Sequence, residues 1–427
     1  ASKVFSPLPA REKSKTIKDR EAYKLIFGTL KDENNALLDE CLIAIFRAPN
    51  SYTGEDCVEF YTHASAYIMK SLIVTLVKLG ARVATAGEFT QRAFLNGKLD
   101  LSEAEAVADL IASTNKATHR LAMSQLRGGI SSELSLLREQ LLKLTSLLEL
   151  ELDFSDHEDL EFADRKELKE LAKTIDNRVT HLAQSFQTGE AIKHGIPVAI
   201  VGKTNVGKST LLNCLLREER AIVSNVHGTT RDTIEDTIDL QGITFRFIDT
   251  AGIRQTTDSI EQIGIQRTFA AIDKARIVLW LIDEKPTNEE VNEISQRANN
   301  KQVIVVRNKS DLCKNDDFTI VNYPLIPISA KFGTNIDALE QTIYQAAGVS
   351  TLADTDIIVT NARHYEALTK AHASIQRVLD SISQQLSGDL IADDLRQALS
   401  HLSEITGGEI TPNEVLGNIF KHFCVGK

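Results

Sequence analysis

The sequence predicts a multidomain chain of mixed α/β and all-α class, on three observations. First, 427 residues exceed what one ordinary hydrophobic core supports, which favours about two to four domains. Second, from Ile196 the apolar residues fall into short runs, IPVAIV, ITFRFIDT, RIVLWLID, QVIVVRNK and LIPISA, with helical segments between them. Alternation of that kind gives a mostly parallel sheet covered on both faces. Third, the stretch before it is long, leucine-rich and free of proline, the texture of a helical bundle.

The first part of the chain is mixed. ECLIAIFRAP reads as a strand, PNSYTGED as a turn, and IMKSLIVTLVKLGA as a helix ended by Gly80, together an α+β unit. LSEAEAVADLIASTNKATHRLAMSQL and ISSELSLLREQLLKLTSLLELEL then read as helices. In the second, Leu134, Leu137, Leu141, Leu144 and Leu148 recur three and four apart, one helix face assigned to a bundle core. Beyond Ala353 strands disappear, and NARHYEALTKAHASIQRVLDSISQQL, LIADDLRQALSHLSEI and TPNEVLGNIFKHF read as three helices. The last opens with Thr411 as cap, Pro412 at the first helical position and Glu414 completing a capping box. An α/β domain between two helical stretches reads as an insertion, with the flanks packing together as one discontinuous domain.

Composition narrows the class. A hydrophobic fraction of 42% and a charged fraction of 25%, with no apolar run near the ~18 residues that span a bilayer, give the expectation of a soluble protein without a membrane partner. The opening ASKVFSPLPAREKSKTIKDR is too polar for a signal peptide. Cys41, Cys57, Cys214, Cys313 and Cys424 are scattered, with no C-x-x-C pair, so neither a disulfide framework nor a zinc site is expected and a reducing cytoplasm fits. The net charge of −11 argues against coating nucleic acid by bulk charge. The cluster Arg11, Lys13, Lys15, Lys18 and Arg20 is read as a solvated face, with a local RNA patch as the alternative.

Residues 202–209, GKTNVGKS, satisfy G-x-x-x-x-G-K-S after a predicted strand and before the helix TLLNCLL. Glycines let the backbone wrap phosphates, the helix N-terminus faces their charge, Lys208 reaches the outer phosphates and Ser209 offers an oxygen to magnesium. GTTRD from Gly228 supplies a second hydroxyl for the metal at Thr230, and Asp249, Thr250, Ala251 and Gly252 form the D-x-x-G whose glycine amide senses the third phosphate. Guanine preference comes from Asn308, Lys309 and Asp311 of NKSD, because an acceptor-only carboxylate pairs with the two N–H donors on the edge of guanine and is left unpaired by adenine. Ser329, Ala330 and Lys331 follow the last strand, where a backbone amide meets the base carbonyl. These signatures, in this order, predict GTP as ligand.

Hydrolysis needs a positioned water and positive charge at the developing oxyanions, and Ile253, where a Ras-type enzyme carries its glutamine, supplies neither. Asn205 offers an oxygen beside the P-loop at which a potassium ion could replace an arginine finger. For the water, Glu261 is the first candidate and Asp258 the second, each with an ordinary loop charge as its alternative reading.

Together with their surroundings these residues resemble the MnmE (TrmE) family of tRNA-modifying GTPases. The resemblance runs over nearly the whole chain: APNSYTGEDCVEF, GARVATAGEFTQRAFLNGKLDLSEAEAVADLIAS, the nucleotide signatures, TNARHYEAL and the terminal FCVGK. It implies an N-terminal folate-binding α+β domain over residues 1–97, a discontinuous helical domain over 98–190 and 351–427, and a Ras-like P-loop G domain inserted at 191–350. It also implies a homodimer working with the flavoprotein MnmG to place a carboxymethylaminomethyl or aminomethyl group at carbon five of a tRNA wobble uridine. GTP, magnesium, potassium and 5-formyltetrahydrofolate or methylenetetrahydrofolate are its implied ligands.

Carried over by residue, the nucleotide contacts fall on Asn205, Val206, Gly207, Lys208, Ser209 and Thr210, on Ser224, Asn225, Val226, His227, Gly228, Thr229 and Thr230, and on the signature residues above. Potassium ligands fall on Asn205, Ser224, Val226 and Thr229, magnesium ligands on Ser209 and Thr230, and the catalytic glutamate on Glu261. Folate contacts fall on Glu59, Lys98 and Lys427, with Lys98 equally readable as a surface turn residue. Cys424 has three readings: a small buried hydrophobe, a prenyl site disfavoured by the ending Gly426 and Lys427, or a functional thiol at the folate pocket.

Three departures stand out, one being His227 where a proline or alanine is common before GTT. The glycine-rich first strand that carries an arginine of the folate site is not seen before Ala1, and THAS from Thr62 replaces a His-Gly pair. The rival assignment is a ribosome-assembly GTPase, which shares the N-V-G-K-S loop but would carry a basic RNA-binding appendage.

Overall fold

The computed structural model describes residues 1–8, 17, 20–153, 165–218, 236–248, 269–299, 301–312, 319–320, 323–349, 357–384, 386 and 388–408. They divide into two compact units. One comprises Ala1–Ile111, Gln125–Leu136 and the described residues from Ser400 onward; the other comprises Ala112–Ser124 and Leu137–Leu399.

The first unit is built on an antiparallel sheet in the order β1 (Phe5–Pro7), β2 (Leu25–Lys31), β3 (Leu37–Phe46), β4 (Cys57–Tyr61). Period-two alternation places Ile26, Leu30, Cys41, Ile43 and Ile45 on one face, where they form a core with Val4, Phe5 and Leu72. The β2–β3 turn is fixed by Asp32, whose Oδ1 accepts from the amides of Asn34 and Ala36, while Asn35 takes a left-handed φ of 62°. Gly28 is required because a Cβ there would lie 2.4 Å from the carbonyl oxygen of Ser6 on β1. Helix α1 (Ala66–Lys78) buries Leu72 and Thr75, and Gly80, at φ +99°, ends it as expected. Helices α2 (Glu88–Leu95) and α3 (Leu101–Ala112) follow.

The single helix expected after α2 is two: α3 stops at Ala112 and α4 (Lys116–Leu126) restarts. The cause is local, since Asn115 accepts from the amide of Thr118 at 2.8 Å, and an asparagine that caps a helix start interrupts the one before it. Helix α5 (Gly129–Asp153) carries the leucine stripe, with Leu134, Leu137, Leu141 and Leu144 all buried.

In the second unit a six-stranded sheet runs in the order β10, β9, β8, β5, β7, β6. Its strands are β5 (Ile196–Val201), β6 (Asp236–Leu240), β7 (Ile243–Phe247), β8 (Ile277–Ile282), β9 (Gln302–Arg307) and β10 (Leu325–Pro327). All neighbours are parallel except the β6–β7 hairpin. Both faces are covered, which is why the strands read as continuous apolar runs: Val198, Ile200, Leu279 and Leu281 enter one core, Ala199, Val201, Val278 and Trp280 the other. Around the sheet lie α7 (Lys208–Glu218), α8 (Asn288–Arg297) and α9 (Ile336–Ala346).

The helices flanking the sheet in sequence pack on one another. Helix α6 (Arg165–His194) runs along α10 (Ala362–Ser383), where Asp176 accepts from Gln376 and pairs with His372 at 2.6 Å each. A Cβ on Gly189 would lie 2.1 Å from the carbonyl oxygen of Val359, so the two segments meet at backbone contact. In the first unit, a Cβ on Gly407, just past α11 (Gly388–Thr406), would lie 2.8 Å from the Phe94 ring and 3.2 Å from Leu101 Cβ. Segments distant in sequence thus share packing in each unit, about 310 residues apart for Gly407 and Phe94 and 170 to 200 apart for Gly189 with Val359 and Asp176 with Gln376. The predicted helix at Thr411 lies outside the described residues.

No described helix is long and apolar enough to cross a membrane. Cys41, Cys57 and Cys214 are free thiols, and burial, with the Asp39 charge second, pushes the Cys41 thiol up. Cys313 and Cys424 lie outside the described residues.

Candidate nucleotide-binding site

At the C-terminal end of β5 the chain makes the turn the motif predicts. A Cβ on Gly202 would lie 2.2 Å from the carbonyl oxygen of Leu281 on β8, so only glycine lets the loop leave the sheet here. Asn205 takes φ 64° and Gly207 φ +99°, and α7 then starts at Lys208 with the Leu211 amide bonded to the Gly207 carbonyl at 2.9 Å. Ser209 and Thr210 therefore lie in the first turn of a helix whose N-terminal amides suit a phosphate. The Lys208 ammonium folds back over the loop and donates to the carbonyls of Gly202 at 2.7 Å and Lys203 at 2.6 Å. Burial lowers its pKa.

Asn308 joins this loop to the base motif. It is 4% exposed; its Nδ2 donates to the Val206 carbonyl at 2.8 Å, and its Oδ1 accepts from the Ala330 amide at 3.0 Å. One carboxamide thus ties together three signatures that lie far apart in sequence. Asp311 is oriented in the same way, its Oδ1 accepting from the Ser329 hydroxyl at 2.6 Å, while Ser329 and Thr334 exchange backbone hydrogen bonds at 3.1 Å. Lys309, at φ 61°, pairs with Asp283 at 2.8 Å, and the Lys331 ammonium lies 5.2 Å from the ring centroid of Phe332. Within the S-A-K loop it is the Ala330 amide that bonds to Asn308.

Two supports were not legible as functional in the sequence. Asp283, one residue past β8, holds Lys309, and Glu290 on α8 holds Lys203 of the phosphate loop at 2.6 Å. Glu290 is fixed by a capping box with Thr287, for which T-x-x-E was the available signal.

The remaining nucleotide and cation residues, Ser224, Asn225, Val226, His227, Gly228, Thr229, Thr230, Asp249, Thr250, Ala251 and Gly252, together with Asp258 and Glu261, lie outside the described residues. Among the described residues no group of three or more His, Cys, Asp or Glu could hold a metal. A magnesium ion held by a P-loop draws on hydroxyl and phosphate oxygens, a donor set to which Ser209 belongs.

In the first unit, Glu59 on β4 is exposed and accepts from the Tyr61 hydroxyl at 2.5 Å. Lys98 follows α2 and lays its stem against Gly54, whose added Cβ would lie 3.3 Å from Lys98 Cγ. Lys98 is exposed and lies at the turn that follows α2, the place the surface-turn reading gives it. An acid and a cation are the donor types a pterin ring and a glutamate tail need. Lys427 lies outside the described residues.

Beside Lys98 is a network sequence reading missed. Glu88, 7% exposed, receives Arg82 through two nitrogens, Arg92 through two more, and the Thr85 amide, while Arg92 also reaches Glu55 at 2.8 Å. The Arg82 guanidinium first, then the Thr85 amide and Arg92, hold the Glu88 carboxyl far below the usual carboxylate range. His63, of the departing THAS stretch, caps a buried Asp39: its backbone amide donates at 3.0 Å and its ring pairs at 2.8 Å. Of the basic cluster near the start, Arg20 alone is described, and it is half-buried.

Two family models match: one described as GTP-binding protein TrmE N-terminus over residues 3–98, the other as MnmE helical domain over residues 101–424. Among curated relatives, the tRNA modification GTPase MnmE of Parabacteroides distasonis is 52% identical, covering 100% of this chain and 93% of the relative. Its namesakes in Phocaeicola vulgatus and Flavobacterium johnsoniae are 54% and 49% identical, covering 98% and 97% of this chain and 84% and 91% of theirs. The fold, the nucleotide loops and these matches agree that the chain belongs to the MnmE family of tRNA modification GTPases.

Proposed function

We propose that this protein hydrolyses GTP, with magnesium, as a step in tRNA modification, and that the reaction is potassium-dependent and builds the carboxymethylaminomethyl or aminomethyl group at C5 of the wobble uridine. The observation that carries the nucleotide reading is the Asn308 carboxamide, which holds the phosphate loop and the S-A-K loop at once. Family membership carries the tRNA reading.

In this reading the domains are residues 1–97, 98–190 with 351–427, and an inserted G domain at 191–350. Lys208 neutralises the outer phosphates, Asp311 selects guanine, and Ser209 with Thr230 holds magnesium. Potassium, bound by Asn205, Ser224, Val226 and Thr229, supplies positive charge where an arginine finger would, and Glu261 orients the water. The left-handed Asn205, at φ 64° on the loop, supports its role as a ligand at the loop rim.

Glu59, Lys98 and Lys427 are assigned to 5-formyltetrahydrofolate or methylenetetrahydrofolate, a one-carbon donor, and Cys424 to a thiol near it. The working form is a cytoplasmic homodimer partnered by the flavoprotein MnmG. An exposed apolar row on the N-terminal sheet, Phe27 opposite Leu42 opposite Tyr61, supports the dimer, since its three members are 49%, 36% and 50% exposed.

Two measurements test this. GTP turnover compared in potassium and in sodium should differ by about tenfold or more, and equal rates remove the potassium role. Nucleoside analysis of tRNA from cells lacking this protein should show the wobble uridine without its C5 group; an unchanged nucleoside overturns the assignment.

A further inference from the structure

The β6–β7 hairpin occupies a particular place in the sequence. Asp236, its first residue, follows the GTTRD segment by four positions, and Phe247, its last, precedes Asp249 by two. Its closed end is the turn at Gln241 and Gly242, both with positive φ. Two elements hold that end: Gln241 Nε2 donates to Gln341 Oε1 of α9 at 2.7 Å, and the start of α4 grips the rest. The Ala117 amide donates to the Gly242 carbonyl at 3.0 Å, and Asn115 Nδ2 donates to Thr244 Oγ1 at 2.8 Å. Gly242 has φ +83°, and a Cβ on it would lie 2.8 Å from Lys116 Cβ, so glycine is needed both for the turn and for the approach of the helix. Its amide is held in turn by Asp239 at 2.7 Å. Below the polar contacts, Ala117 and buried Leu121 pack into the core that contains Ile238, Leu240 and Ile243.

This is more than a helix resting on a sheet. Two paired strands form a stiff ribbon, so a shift at the open end is felt at the turn, and the turn is gripped by hydrogen bonds and by packing rather than by solvated side chains alone. Asn115 does a second job at the same point, accepting from the Thr118 amide to cap α4. Helix α4 also spans the two units: Lys116–Ser124 count with the parallel sheet, while Gln125 and Leu126 count with the other.

We propose that the first turn of α4 is a positioning element for GTP hydrolysis: through Asn115, Ala117 and the Gly242 turn it fixes the β6–β7 hairpin and carries nucleotide-dependent movement of that hairpin into α4. This rests on the GTPase reading above. It makes Asn115 and Thr244 positioning residues that touch no nucleotide, and it gives the α/β domain a route by which its state reaches the helices around it.

The test is amide hydrogen exchange on the full-length protein, with GDP and with a non-hydrolysable GTP analogue, in the parent and in Thr244→Val. Valine keeps the β-branched shape for the strand and leaves the Asn115 cap untouched, so a purely structural cap would not register. In the parent, α4 amides should exchange at rates differing by about tenfold between the two nucleotides. In Thr244→Val that difference should shrink below about twofold, with nucleotide affinity within about twofold of the parent and turnover lowered about three- to tenfold. Asn115→Ala should reproduce the loss. Unchanged nucleotide dependence and turnover in Thr244→Val, or a parent that binds both nucleotides while α4 exchanges alike, overturns the proposal. A parent that binds no guanine nucleotide sinks the GTPase reading itself, which is a different result.

Discussion

The side-chain amide of Asn308 donates to the backbone carbonyl of Val206 across 102 residues of sequence, in a buried site where each partner has few alternatives. A carbonyl desolvated there without its donor costs about 1–3 kcal/mol, and the Ala330 amide loses its acceptor at the same stroke. Asn308→Ala should therefore weaken GDP and GTP binding by about 10- to 100-fold, read by titration with a fluorescent nucleotide. Affinity within twofold of the parent would show that the loop holds its shape unaided.

Gly207 faces the same amide. A Cβ there would lie 2.3 Å from Asn308 Nδ2, and the residue stands at φ +99°. Gly207→Ala should abolish measurable binding alone, yet cost less on an Asn308→Ala background, where only the backbone strain of roughly 1–3 kcal/mol remains. Strict additivity in that cycle would mean that the collision is relieved some other way.

Glu261 is tested by separating binding from turnover. Glu261→Ala should hydrolyse GTP about 100-fold more slowly with nucleotide affinity unchanged, since a group that orients water acts only in the transition state. Parent-like turnover would return the role to Asp258.

Glu88 sets an acid limit on the first unit. Its carboxyl is held below the ordinary range by Arg82, the Thr85 amide and Arg92, so the stabilisation is complete above about pH 5 and is lost as pH falls below the unfolded value near 4.3. Glu88→Gln should cost about 2–4 kcal/mol at neutral pH and flatten the acid limb of a pH–stability curve. A variant whose Tm and acid limb match the parent would show that the arginines find other partners.

The apolar row on the N-terminal sheet should decide assembly. Phe27→Asp places a charge at one end of the row of Phe27, Leu42 and Tyr61 without touching the buried face. Sedimentation should show a monomer where the parent is a dimer, with GTP affinity retained. A dimeric variant would move the interface elsewhere.

Much of this site was legible before any coordinates. The phosphate loop, NKSD and SAK carry fixed spacings because backbone geometry and guanine chemistry dictate them, and the structure joins the three through Asn308 with Val206 and Asp311 with Ser329. The parallel sheet was legible for a related reason: strands covered on both faces must be apolar throughout. The break between α3 and α4 was not, because the periodicity of LSEAEAVADLIASTNKATHRLAMSQL continues through it and only the Asn115 side chain stops the helix. Nor were Asp283, Glu290 and the Arg82–Glu88–Arg92 network, whose members are ordinary surface types until folding surrounds them.

The sequence by itself determined the guanine nucleotide signatures and the presence of an α/β segment between helical stretches, because each depends on residues near one another in the chain. Tertiary structure alone decided which distant groups share a hydrogen bond: Asn308 with Val206, Asp176 with His372, Asn115 with Thr244. Such pairs carry no local pattern, since a donor and an acceptor more than 100 residues apart are chosen by the packing of the cores beneath them.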